Sequence, residues 1–251
     1  MAYPFSKQIL DRSTGTDKIV ASTTTHGSAV AAALAAELAS NLAPGEVMPD
    51  FGLVITLLGR HLDGKRVAMN QADQAHQSEL ADDPKPRADR DEVNVRIYAR
   101  LVKTRELVQG LFGGAGERAV GFQGAIPENP RARIKLARFV ASRVGLLGEP
   151  LIEGVQFDAE PTIAALHTDA DELEGHMGQV DTEVREAEGT LLQKNADMAG
   201  YDTAFAADAA VIAGLYRLAG KAGLADRLRP SARRAGVTAE DAGEVEAGTE
   251  G

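Results

Sequence analysis

Apolar residues recur along most of this chain at alternating steps of three and four, the spacing of one face of an α-helix. Phe51, Ile55, Leu58, Leu62, Lys65, Met69, Ala72 and His76 form one such series. Asp50 stands where an N-cap would be, and Asp82-Asp83-Pro84-Lys85-Pro86 breaks the pattern, so a helix is predicted over 50–81. Val93, Ile97, Leu101, Val108 and Leu111 predict a second helix over 89–112, and the short Pro-bearing break predicts that the two form an antiparallel hairpin. Asn129-Pro130 supplies an N-cap and first helical residue for a helix over 130–144.

The strongest series follows Asp158: Ile163, Leu166, Ala170, Leu173, Met177, Val180, Val184, Ala187 and Leu191 keep the alternation without a slip. It predicts a long helix over 158–194 with a coiled-coil-like seam. Tyr201, Phe205, Asp208, Ile212, Leu215 and Ala219 predict another over 198–219, stopped by Gly220. Residues 27–42 read as a short helix ended by Ala43-Pro44-Gly45. Residues 1–26, rich in Ser, Thr and Asp, show no clear period and read as an irregular arm. The expectation is an all-α fold: an elongated antiparallel bundle of four long helices with two shorter flanking ones. One domain over 27–234 is expected, followed by a tail over 235–251. The bundle follows because narrow apolar stripes can be buried only against one another.

Composition changes this picture mainly by exclusion. The 251 residues include no Cys, which removes disulfides, thiolate metal sites and thiol nucleophiles. The net charge of −10 argues against a nucleic-acid partner. The apolar runs 27–42 and 51–59 are shorter than the roughly 20 residues of a spanning helix, and the N-terminus lacks a secretory pattern. A soluble, cytoplasmic protein is therefore expected.

Charge also selects neighbours. The seam of the 158–194 helix is flanked by Asp169, Glu174, Asp181, Glu183 and Glu188, with His167 and His176, so a parallel homodimer along it would oppose acid to acid. The 89–112 helix carries Arg96, Arg100 and Lys103 beside its apolar face and is predicted to lie against the acidic helix.

Candidate chemistry is sparse. Lys65 and Asp208 both fall on seams, where an unpaired charge is costly, and could form a buried ion pair or a small polar site. The histidines lack the Glu-x-x-His pairs of di-iron bundles and the His-Glu-x-x-His zinc motif; Asp73-x-x-His76 comes nearest. No Gly-x-Ser-x-Gly elbow or phosphate-binding Gly-Lys-Ser/Thr ending occurs. No catalytic, cofactor or metal residues are assigned on these grounds.

The segment 110–126 holds six Gly together with Phe112, Val120, Phe122 and Ile126. Phe112 is expected to close the seam of its helix. Val120 and Phe122, carried on a loop shaped by Gly113, Gly114 and Gly116, are expected to contact a partner. Arg227, Arg229, Arg233 and Arg234 form a basic cluster expected to act within the molecule, before an acidic tail with Glu240, Asp241, Glu244, Glu246 and Glu250. The composition of that tail predicts disorder in isolation.

The function expected from this reading is that of a non-enzymatic helical component working through its surfaces, by self-assembly or with a protein partner. A membrane-active bundle using the 110–126 loop is the alternative, and a small-ligand carrier or bundle enzyme a third.

Overall fold

The computed structural model describes residues 5–82, 84–232 and 234–239, and 79% of the chain is helical. The elements are α1 (Lys7–Leu38) with a closing 3-10 turn (Ala39–Asn41), α2 (Phe51–Asp82), α3 (Pro84–Ala119), α4 (Pro130–Val144), α5 (Glu160–Leu218) and α6 (Ala222–Leu228). Among the described residues the only β-type pairing is an isolated bridge between Pro230 and Thr238. The fold is an all-α helical bundle.

Its caps follow the sequence. Asp50 Oδ1 accepts the Leu53 N–H at 2.9 Å. The Asn129 side chain accepts from Arg131 and Ala132, with Pro130 as the first residue of α4. Gly220, at φ 74°, ends α5, where the Lys221 N–H reaches back to the Tyr216 carbonyl at 2.8 Å.

Besides α3, which runs over Pro84–Ala119 rather than 89–112, two boundaries differ from expectation. The arm over 1–26 is not irregular, because α1 begins at Lys7. Its buried face is Ile9, Thr16, Ile19, Thr23, Gly27, Val30 and Leu34, a helical series in which Thr and Gly hold seam positions. Thr16 belongs there because its hydroxyl meets the Tyr201 hydroxyl at 2.7 Å. Nor is there a break between 194 and 198. The three–four alternation continues from Leu191 through Lys194 and Met198 to Tyr201, so α5 is one helix of 59 residues.

The single domain expected over 27–234 is instead two compact units, residues 1–78 with 188–251 and residues 79–187. In the first, α1, α2, the later part of α5 and α6 enclose Ile19, Leu34, Ile55, Leu62, Tyr201, Phe205, Ile212 and Tyr216. In the second, α3, α4 and the earlier part of α5 enclose Ile97, Leu101, Val108, Ile134, Val140, Leu166 and Leu173. Within the first unit side-chain hydrogen bonds join α2 to α1 and α5, and within the second they join α3 to α4 and α5. Leu62, Leu101, Leu166, Leu173 and Ile212 are buried, while Leu58, Val180 and Leu215 are half-buried. Val184 is exposed, since it lies past Met177, the last α5 side chain packed on the second core.

Towards the C-terminus residues 229–231 pair with residues 237–239, with Ser231 N–H to Val237 O and Ala239 N–H to Arg229 O both at 2.9 Å. Gly236, Val237 and Thr238 are buried, so order extends into what the composition assigns to the tail. Arg234 pairs with Asp11 at 3.0 Å, an intramolecular role for the basic cluster. Arg233 and the acidic residues from Glu240 onward lie outside the described residues.

Candidate functional site

The seam charges of the first unit find polar partners, but not the expected one. Lys65 is exposed and does not meet Asp208. His61, one turn earlier on α2, takes that place, with Nδ1 2.7 Å from Asp208 Oδ2. The pair expected between Lys65 and Asp208 is therefore a correction, and its cause is register. The antiparallel alignment of α2 and α5 brings residue 61 rather than 65 to the level of 208.

The most buried polar cluster lies three to four turns further along. Asp73 is fully buried and receives Lys194 Nζ at 2.6 Å, the Ser6 backbone N–H at 2.8 Å and the Ser6 hydroxyl at 3.1 Å. Burial alone would push its pKa up. The Lys194 ammonium and the two Ser6 donors outweigh burial and hold it below the ordinary carboxylate value. His76, one turn along α2 and also buried, has Nδ1 3.0 Å from Thr190 Oγ1. This cluster ties the first residue before α1 to α2 and α5 at once. Sequence reasoning missed it because Lys194 is the last residue of the helix predicted over 158–194, one step past Leu191, where the apolar seam series ends. Continuing the seam alternation past Leu191 would have exposed it.

Further polar contacts fix α1 against α5. Arg12 makes a two-pronged ion pair with Asp202, at 2.8 and 2.9 Å, which raises its pKa. The buried Tyr201 hydroxyl donates to the Arg12 carbonyl at 2.6 Å, and burial pushes its pKa up. Such groups are costly unless paired, so each contact penalises a slipped register.

In the second unit the predicted neighbours do meet. Arg96 Nε is 3.0 Å from buried Asp169, and Arg96 also pairs with Glu172 and Arg100 with Asp169. The other flank of α5 is held by α4, through Arg138 to Asp171 and Glu174 at 2.7 and 2.6 Å and Arg131 to Asp181 at 3.1 Å. The charge argument applied to α3 would also have found α4, whose 15 residues carry five basic side chains.

The expected interaction loop is a structural cap. Val120 is fully buried and Phe122 is 3% exposed, both within the core of the second unit. The reason lies in Gly113 and Gly116. Gly113 takes φ 67° and kinks α3, which then continues to Ala119. At Gly116, which is buried, a Cβ would come within 2.3 Å of the Phe112 Cβ. Only Gly permits both features, and together they fold the segment back over its own helix. Gly114 is exposed. Arg105 secures the cap by pairing with Glu117 and by donating to the Gly124 carbonyl at 2.9 Å. Phe112 is buried, as expected for the end of a seam, and meets Phe157 edge to face.

Two surface features remain. On the first unit Leu53, Val54 and Leu57 of α2 and Val211 and Leu218 of α5 are exposed. Leu57 precedes His61 by one turn and Val211 follows Asp208 by one, so the His61–Asp208 contact brings them to the same level of the two helices. Between residues 203 and 216 the only ionisable groups on α5 are buried Asp208 and the phenol of buried Tyr216. On the second unit, carboxylate oxygens of Glu79, Glu183 and Glu186 lie within 4.8 Å of one another, an oxygen set of the type hard divalent cations take. Comparison with known protein families, curated proteins and solved structures finds no match to this chain.

Proposed function

We propose that this protein is a non-enzymatic structural or assembly component that acts by protein–protein contact through the α2–α5 face of its first unit. The observation that carries this reading is the in-register exposure of Val54 and Leu57 beside Val211 and Leu218. Single apolar side chains scattered over a surface need no explanation, but a contiguous patch on two adjacent helices marks a contact site. The buried polar pairs support the same reading, because they hold the two helices in one register and so keep the face in one shape. Self-assembly is the first form of this contact, and an adaptor role toward another protein the second.

Light scattering across a concentration series tests it, with Leu57→Glu/Val211→Glu as the variant. The wild type is expected to exceed the mass of one chain at high concentration, and the variant to remain a monomer with the same melting temperature. If the wild type is itself monomeric, crosslinking in an extract of the native cell decides: partners captured equally by both proteins overturn the reading. A membrane-active role built on residues 110–126 loses its basis, since the side chains meant to insert are in the core.

A further inference from the structure

We propose that the second unit contains a binding site for a phosphate monoester where the N-terminus of α5 meets the side of α3. A small cavity of about 260 Å³ there is lined by Arg100, Lys103, Thr104 and Leu107 of α3 and by Pro161 and Thr162 of α5.

The first observation is the start of α5. Of its first amides, Glu160 donates to Asp158 Oδ1 and Ile163 to the Ala159 carbonyl, and Pro161 has none to give. The Thr162 N–H is thus left at the cavity, at the positive end of a 59-residue helix.

The second observation is independent of the helix end. Thr104 is only 4% exposed and lines the cavity, yet its hydroxyl has no hydrogen-bond partner among the described residues. Six exposed helical threonines show the usual alternative. Thr14, Thr24, Thr56, Thr168, Thr182 and Thr203 each donate to the carbonyl one turn back. A buried hydroxyl that forgoes this bond is unfavourable until an oxygen arrives to accept it.

The third is charge. Lys103 is exposed and makes no ion pair among the described residues, and Arg100, held by Asp169, stands on the same wall. Asp158 and Glu160 belong to the same helix end but do not line the cavity. Two cations, hydroxyl donors and a helix amide converging on one small space suit a tetrahedral dianion. Half-exposed Leu107 supplies an apolar wall beside it, which favours an ester substituent over the free ion.

Calorimetric titration of the full chain with phenyl phosphate and with inorganic phosphate tests this. Saturable binding at one site per chain is expected, tighter for phenyl phosphate. Lys103→Gln and Thr104→Val should each weaken it by about ten-fold or more, as loss of a charge-assisted contact does, while Thr104→Val in phosphate-free buffer melts no lower than wild type. The site is refuted if neither compound binds saturably or if Lys103→Gln, a surface change that leaves the core intact, binds as wild type does. A marked loss of stability in Thr104→Val would show the hydroxyl to be structural. Tighter binding of inorganic phosphate than of phenyl phosphate would overturn the assignment to an ester.

Discussion

Asp73 and Lys194 are each tolerable in the interior only because the other is there. Removing one partner of such a pair strands a buried charge, so Asp73→Ala should cost about 3–5 kcal/mol in chemical denaturation. Replacing both, as Asp73→Leu with Lys194→Met, should cost far less, and equal costs would contradict the pairing. The pH dependence has a definite sign. Asp73 is held below the ordinary aspartate value of about 3.9 by Lys194 and Ser6. Its stabilisation is therefore complete above that pH and is lost as pH falls through the lower, folded value. Asp73→Asn should lose this acid-dependent component, which a stability profile between neutral and acid pH would show. In the second unit, Phe122→Ala should cost about 3–5 kcal/mol and Leu173→Ala about 2–5 kcal/mol, as core truncations do. Glu174→Ala, at an exposed ion pair, should change stability by about 1 kcal/mol or less.

Helix α5 is the element on which both units depend. Its seam carries the same alternation from Ile163 to Ala219, including the charged positions Lys194 and Asp208. A proline in its interior removes a backbone hydrogen bond and clashes with the preceding turn. Ala196→Pro should therefore cost about 3 kcal/mol or more by denaturant titration, even though Ala196 is exposed. A silent Ala196→Pro would mean that the helix is interrupted at this point. In α3 the kink at Gly113 does comparable work, because it returns Val120 and Phe122 to the core that their helix would otherwise leave behind.

The two units have separate cores, and a perturbation of one should be felt there first. Phe205→Ala is expected to lower hydrogen-exchange protection in α1 and α2 while α3 and α4 keep theirs. Leu101→Ala should do the reverse. Equal loss throughout the chain for both variants would mean that the units unfold as one cooperative body. The second unit is bound together by arginines of α3 and α4 on the acidic faces of α5. Most of these pairs are at least partly exposed, so they select the arrangement more than they stabilise it.

The three–four spacing determined by itself that the chain is helical, where α2, α4 and the start of α5 begin, and which face of each is buried. Local physics is sufficient for this: caps, prolines and apolar periodicity act within a few residues. Charge went one step further and placed α3 against α5, because acidic and basic stripes name their neighbours. Local pattern could not determine which helices share a core. An apolar stripe is satisfied by any other stripe, so the same sequence features fit one bundle or two units. The start of α1 was hidden for a related reason. Thr16 counts as polar until Tyr201 supplies the partner that lets it be buried. Lys65 and Lys194 both sit on seams, and only the register of α2 against α5 decided that one would be exposed and the other would meet Asp73. Phe122 looked free for a partner because nothing near it in sequence covers it. Its cover comes from the core that α3, α4 and α5 share, to which the turn at Gly113 returns it.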